Sequence, residues 1–303
     1  MDPKLGETGA GNQTHVSGAD DRDIHTTSIF LCLAKRLLKY IRKIPLLARN
    51  ACLGTSERLY FILLITGVLM TDPKPGCLYI VSTPIGHLDD ITLRALRILK
   101  EVSVVAAEDT RHTRTLFNHY QIQTPLTSYH DHNKEEKTEI LLQRLKEGQS
   151  MALVADAGTP GISDPGYYLI NRCIQAGIPL SPIPGASAFL AALAVSGLPT
   201  DAFLFEGFLP KKRIGRLKHL LALKEEPRTI ILYESPHRLV RCLHDLHEAW
   251  GDRRAVVARE VTKMFEEIVR GKLSLVIATM EGRSIRGEIT LVIEGNRSIS
   301  SMW

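Results

Sequence analysis

The sequence predicts two α/β domains, and three observations carry that prediction. From residue 76 onward, short apolar segments alternate with amphipathic helical ones, the pattern of strands joined by crossover helices. A Gly-Leu-Pro-Thr-Asp stretch at 197–201 breaks the alternation and reads as a boundary. The 303 residues reach the size at which one hydrophobic core gives way to two. The expected domains are therefore 76–197 and 201–297.

The first domain is read element by element. Residues 77–82 (CLYIVS) form a short apolar strand, and TPIG follows as a turn. Asp89 or Asp90 is expected to cap a helix through ITLRALRILKEV. Residues 103–107 (SVVAA) form the next strand, ending in Glu108-Asp109-Thr110-Arg111, and a helix runs through HTRTLFNHY. An extended piece at 127–129, a helix at 134–147 closed by Gly148, and a strand at 151–155 come next. A helix at 165–176, an extended segment at 180–183 and an apolar helix opened by Pro184-Gly185-Ala186-Ser187 complete the unit. Alternation of this kind implies a mainly parallel sheet.

In the second domain, FLFEGFLP precedes a basic helix near 211–224, a strand TIILYES and a helix at 236–250. AVVARE is a strand, 266–270 is extended, a helix covers about 272–280, and GEITLVIEG is the last strand. These strands are more two-faced, so the sheet is expected to be mixed.

Composition narrows the classes. Apolar residues are 44% and charged residues 23%, which excludes wholesale disorder and a coiled-coil rod. The five cysteines lack CxxC spacing, which argues against a disulfide scaffold or a cysteine-rich metal site. The net charge of +5 permits an anionic partner without requiring one. Residues 1–75 read as an extension outside the two domains, poorly ordered, and residues 1–70 as dispensable for fold and chemistry. Residues 1–25 are polar, and residues 28–49 interleave six Lys or Arg with apolar positions in the manner of a basic amphipathic helix. The longest apolar run, 59–70, would reach ~18 Å as a helix, short of a ~30 Å hydrocarbon core, so no stable membrane insertion is expected.

The chemistry is expected at strand carboxyl ends, where helix amino termini and loop backbones converge. Four loops there are rich in Gly, Pro and acids: 83–86, 107–111, 156–166 and 182–187. Tight turns that only serve the fold are an alternative for them. No GxGxxG follows a strand and no Walker A lysine motif occurs, which disfavours dinucleotide and P-loop chemistry. His130 and His132 flank Asp131 without an evident third metal ligand, so no metal is expected; contacts to a substrate backbone suit them better. Tyr233-Glu234-Ser235-Pro236-His237 lacks the glycine pattern of a nucleophile elbow. Basic clusters at Arg111, His112 and Arg114, and at Lys211, Lys212, Arg213, Arg216 and Lys218, offer phosphate donors, or else solvated helix faces.

These residues together carry a resemblance. GCLYIVSTPIGHLDDITLRALRILKEVSVVAAEDTRHTRTLFNHY, SYHDHN, VADAGTPGISDPG, PIPGASA, GFLP, YESPHR, ARE-TK and GE-TLVIEG occur in order over 76–297. The chain so resembles the ribosomal RNA small-subunit methyltransferase I family, within the tetrapyrrole-methylase-like superfamily of S-adenosylmethionine enzymes. His87 departs from the asparagine usual in that family. The resemblance implies two α/β domains with S-adenosylmethionine in the cleft between them. It implies 2′-O-methylation of a cytidine in 16S rRNA of the small ribosomal subunit, a homodimer, and a cytoplasmic setting.

On that footing Pro84, Ile85, Gly86, Asp156, Ala157, Gly158, Ser163, Asp164, Gly185 and Ala186 are the expected cofactor contacts. Glu108 and Asp109 are candidates to accept the 2′-hydroxyl proton, with Lys263 and Glu260 facing them from the second domain. They equally suit the amino-terminal cap of a helix. Arg111 and Arg114 suit the ribose phosphate, and Arg111 would also ease the developing oxyanion. His130, His132, Lys211, Lys212 and Arg213 extend the RNA contact. A tetrapyrrole methyltransferase is the nearest rival; a non-catalytic ribosome-assembly factor is the rival of another class.

Overall fold

The computed structural model describes residues 75–296, which hold two five-stranded sheets in sequence. The extension, the basic stretch at 28–49 and the apolar run at 59–70 lie outside the described residues.

The first sheet is wholly parallel. Its strands are β1 (Leu78–Val81), β2 (Val104–Ala107), β3 (Leu126–Ser128), β4 (Met151–Val154) and β5 (Leu180–Ile183), in the order β3-β2-β4-β1-β5. A parallel sheet needs both faces covered, and β2 and β4 are accordingly buried at every position. Helices α1 (Leu93–Glu101) and α2 (Thr110–His119) cover one face through Ala95, Ile98, Leu99, Leu116 and Phe117. Helices α3 (Lys134–Lys146) and α4 (Tyr167–Gln175) cover the other through Leu141, Leu142, Leu145, Leu169 and Cys173.

This arrangement fixes the crevice. The chain leaving β4 turns to one face of the sheet, whereas the chains leaving its neighbours β1 and β2 turn to the opposite face. Backbones diverge where neighbouring connections part, and ligands bind in the resulting gap. The carboxyl end of β4, residues 155–166, is therefore flanked by such gaps on both sides.

Helix α5 (Ala188–Ala194) crosses to the second sheet and packs Ala192 and Leu193 on Ile231, Val256, Ala258 and Val292. That sheet contains β6 (Phe203–Phe208), β7 (Thr229–Glu234), β8 (Arg254–Arg259), β9 (Glu267–Lys272) and β10 (Ile289–Ile293), in the order β6-β7-β10-β8-β9. Only β6 and β7 run parallel, so the expected mixed sheet is observed. Period-two alternation assigns the faces: Ile230, Leu232, Ala255, Val257, Leu291 and Ile293 point to the opposite side from the α5 face. There α6 (Arg213–Ala222), α7 (Leu239–Trp250) and α8 (Leu273–Met280) close the core.

Several boundaries differ from expectation. Asp89 and Asp90 sit in a 3-10 turn, and Thr92 caps α1 by accepting from Ala95 N at 3.1 Å. Residues 165–166 and 236–238 stay outside α4 and α7: Gly166, at φ 144°, cannot be helical, and Glu234 draws Ser235 N into a turn at 2.7 Å. Arg216 is no surface donor. It is buried on α6 and paired with Asp245 of α7, each side chain only 5% exposed, so this pair joins two helices.

Candidate active site at the strand ends

The loops leaving β1, β2 and β4 are tied to one another. Thr83 and Gly158 exchange backbone hydrogen bonds of 2.8 and 3.1 Å, and the Ser82 and Thr159 hydroxyls meet at 2.8 Å. Asp109 N donates to Asp156 Oδ1 at 3.0 Å. The second sheet reaches the same place through its β8–β9 turn: Thr262 Oγ1 accepts from His87 N at 3.2 Å. That contact requires Gly86, because a Cβ there would stand 2.5 Å from Lys263 Cγ and 2.7 Å from Thr262 Oγ1.

Two cavities of about 370 Å³ each adjoin here and share Ile85, Asp156, Ala157 and Glu288. The first holds Glu108, Ser163 and Asp164 from the parallel sheet, with Phe208, Tyr233 and Thr290 opposite. The second holds Pro84, Gly86, His112 and Lys263. Three of the four non-glycine residues with positive φ among the described residues, Ser163 at 62°, Glu260 at 51° and Thr262 at 66°, belong to these walls or to the turn behind them. Strain of this kind persists where surrounding structure over-determines the backbone, and it clusters at functional sites.

The first cavity is acidic. Burial lifts the Glu108 carboxyl above the ordinary range, and Asp156 raises it further. Burial, with Glu108, Asp156 and Glu288 facing it, pushes Asp164 up to about 7. Tyr233 is pushed up to about 12, chiefly by burial. Lys263 is the counterweight: its Nζ donates to Glu260 Oε1 at 3.0 Å and to Glu288 Oε2 at 3.1 Å. Burial alone would lower that ammonium, but the two carboxylates outweigh it and hold Lys263 above the ordinary lysine value.

The candidate residues divide as follows. Pro84, Ile85, Gly86, Asp156, Ala157, Gly158, Ser163 and Asp164 all line one cavity or both; Gly185 and Ala186 do not, while their successors Ser187 and Ala188 do. Glu108 lines the first cavity. Asp109 turns outward, caps α2 by accepting from Arg111 N at 2.8 Å, and pairs with the Arg111 guanidinium at 2.7 Å. That guanidinium holds Asp109 well below the usual carboxylate range, so Asp109 is a poor proton acceptor. Glu260 braces Lys263 and Glu288 instead of lining a cavity.

Arg111, Arg114 and His132 are exposed and line neither cavity. His130 turns inward: its Nε2 meets Asn133 Nδ2 at 3.3 Å, and its Nδ1 is buried. Lys211 and Arg213 line a separate surface pocket of about 430 Å³ beside Arg238 and Arg241, and Lys212 is exposed. Sequence reasoning missed Phe208, Tyr233, Gly287, Glu288 and Thr290. Of these, Gly287-Glu288 carried a signal, a tight Gly-Glu turn directly before an apolar strand.

The donor set suits a cationic, partly apolar ligand such as S-adenosylmethionine. Ile85, Ile162, Ala188 and Phe208 offer apolar wall, while Glu108, Asp156, Asp164, Glu234 and Glu288 also line it and the Glu108 Oε2 atom is buried without a partner. Among the described residues no helix is long and apolar enough to cross a membrane.

Comparison with known proteins places the described residues in one family. A family described as Tetrapyrrole (Corrin/Porphyrin) Methylases matches residues 77–276. The protein named ribosomal RNA small subunit methyltransferase I of Synechocystis is 53% identical over 221 residues, 73% of this chain and 79% of that one. Its namesake from Pseudomonas aeruginosa is 49% identical over 227 residues, with the same coverages. Its namesake from Thermotoga maritima is 48% identical over 220 residues and is covered to 99%. Among solved structures, a cobalt precorrin-4 methyltransferase aligns with a TM-score of 0.57 at 21% identity, over 72% of this chain and 94% of that one. A Thermus thermophilus uroporphyrin-III C-methyltransferase, complexed with S-adenosyl homocysteine, aligns with a TM-score of 0.52 at 21% identity, over 72% and 97%. At such identities the solved structures establish the fold alone.

Proposed function

The chain belongs to the ribosomal RNA small subunit methyltransferase I family of the tetrapyrrole methylases, and from that premise we propose that it methylates the 2′-oxygen of a cytidine ribose in 16S rRNA. It is an S-adenosylmethionine-dependent methyltransferase. The observation that carries the RNA reading is identity of about half over some 220 residues to proteins named for that substrate.

Bound S-adenosylmethionine supplies a methyl group on a cationic sulfur. The chain's own residues supply the remainder. Asp156, Asp164 and Glu288 favour positive charge in the cavity. Pro84 to Gly86 and Ala157-Gly158 let backbone approach a ligand closely. Glu108 accepts the 2′-hydroxyl proton; burial and Asp156 raise its carboxyl, which makes it a stronger base than an ordinary glutamate. Arg111 and Arg114, both exposed, hold the neighbouring phosphate. Lys263, locked between Glu260 and Glu288, fixes the second-sheet wall.

Residues 76–197 and 201–297 act as the two lobes in this reading, the protein works as a homodimer, and its setting is the cytoplasm, where ribosomes are assembled. The test is incubation of small subunits lacking the mark with labelled S-adenosylmethionine, followed by mapping of ribose methylation. Label on a cytidine 2′-oxygen of 16S rRNA is the expected result. Label on a base, or on a porphyrinoid and not on subunits, would replace this reading with that of another methylase.

A further inference from the structure

Two buried polar atoms lie behind the cavity without a partner, Glu108 Oε2 and His130 Nδ1. Their chemistry is complementary. Glu108 follows the last residue of β2, and His130 follows Tyr129 at the end of the adjacent parallel strand β3. Tyr129 N donates to Ala107 O at 2.8 Å, so the two strand ends are registered one residue before each side chain. Tyr129 is itself buried, and its hydroxyl meets Thr138 of α3 at 3.2 Å, which anchors the segment.

Asn133 sets the His130 ring. Its Oδ1 accepts from His130 N at 2.9 Å, and its Nδ2 donates to Ser128 O at 3.4 Å. With the amide oriented by these contacts, the atom facing His130 Nε2 at 3.3 Å is the donor Nδ2. The Nε2 atom must then carry the lone pair, which assigns the ring proton to Nδ1. The buried Nδ1–H is thus a donor lacking an acceptor, and the buried Glu108 oxygen is an acceptor lacking a donor. Leaving either unpaired is costly.

We propose that His130 is a positioning residue for the base: its Nδ1–H donates to Oε2 of ionised Glu108 and leaves the other carboxylate oxygen for the ribose 2′-hydroxyl. The inference rests on the methyl-transfer reading only for what Glu108 does next. Catalytic hydrogen bonds commonly stand long until substrate engages. When methyl transfer occurs, the 2′-hydroxyl proton passes to Glu108, the oxygen–methyl bond forms, and the bond from methyl to sulfur breaks to leave a neutral thioether. His130 keeps its proton throughout. The acidic groups facing Glu108 are Asp156, Asp164 and Asp131; the Asp156 backbone and the His130 imidazole oppose their effect.

The test follows Glu108 directly. In protein carrying carboxyl-labelled glutamate, with S-adenosylhomocysteine bound, the Glu108 NMR signal is assigned by its loss in Glu108→Gln. His130→Phe keeps an aromatic ring without a donor, and His130→Asn keeps a donor near the Nδ1 position. Losing one charge-assisted hydrogen bond should move the Glu108 titration up by about one pH unit in His130→Phe, with substantial recovery in His130→Asn. The acid limb of the methylation profile should move with it, while S-adenosylhomocysteine affinity stays near wild type. A Glu108 titration unchanged in His130→Phe, or no recovery in His130→Asn, would overturn the proposal. A shifted titration in a protein that leaves subunits unmethylated would support the His130–Glu108 link and overturn only the RNA reading.

Discussion

Replacing Asp164 by asparagine should make the protein more stable at alkaline pH and remove a proton from cofactor binding. The carboxyl is raised to about 7 by burial and by Glu108, Asp156 and Glu288, so the folded state binds its proton more tightly than the unfolded chain does. Between the unfolded value, about 3.9, and about 7, folding takes up a proton, and stability falls as pH rises. The penalty is complete above 7 and absent below about 4. Three pH units correspond to about 4 kcal/mol, which partial solvent screening of this half-buried side chain reduces to about 2. For a folded body of this size Asp164→Asn should then melt about 4–8 °C above wild type at pH 8, with the gap closing toward pH 4. Cation binding favours the ionised carboxylate, so S-adenosylmethionine should displace roughly half a proton from Asp164 at pH 7. Calorimetry in two buffers of different ionisation enthalpy measures that release, and the asparagine variant should lack it. Equal melting temperatures at pH 8, or the same proton release in both proteins, would refute the electrostatic account of this cavity.

Other perturbations separate cavity from scaffold. Gly86→Val places a side chain where Lys263 and Thr262 now stand; cofactor affinity by calorimetry should fall at least about tenfold, as close packing leaves no room to relax. Asp245→Ala strands the buried Arg216 and should cost about 3–5 kcal/mol by chemical denaturation, while the double variant Asp245→Leu with Arg216→Met should recover much of it. Arg111→Ala should leave cofactor affinity unchanged and cut methylation of subunits about tenfold, with a shallower salt dependence, as loss of one phosphate contact requires.

The strand-end loops were legible because their composition is local: 83–86, 107–111 and 156–166 announce turns and acids directly after apolar runs, and all three line the cavities. What stayed hidden depends on sheet order. Glu288 reaches Lys263 and Asp164 because β10 inserts between β7 and β8, a long-range pairing that no local pattern encodes. The role of His130 was equally hidden, since a histidine in a polar loop reads as exposed until its neighbours are placed. Arg216 misled for the converse reason: among Lys211, Lys212, Arg213 and Lys218 it looks like one more surface cation, yet only the α6–α7 packing brings Asp245 to it.

The charge distribution explains how one cleft can serve a cationic donor and a polyanionic acceptor. Glu108, Asp156, Asp164 and Glu288 line the first cavity, with Glu234 held by Arg238, and among the described residues exposed cations stand outside it, at Arg111, paired with Asp109, and at Arg114, Lys211 and Lys212. Coulomb energies in a partly buried cavity are several-fold larger than in water. A phosphate entering that cavity would meet Glu108, Asp156, Asp164 and Glu288 with little screening, whereas a neutral ribose hydroxyl meets no such barrier. The rim cations act through solvent, so their attraction decays over the ~8–10 Å Debye length of physiological salt. On the proposed function, RNA would be drawn in by its backbone and admitted only by its sugar edge. On the proposed function, the acids that would hold a sulfonium lose much of their attraction once the sulfur is neutral. Transfer of the methyl group would then weaken the ligand's hold on the site that made it reactive, and release of the thioether would follow from the same residues that favoured binding.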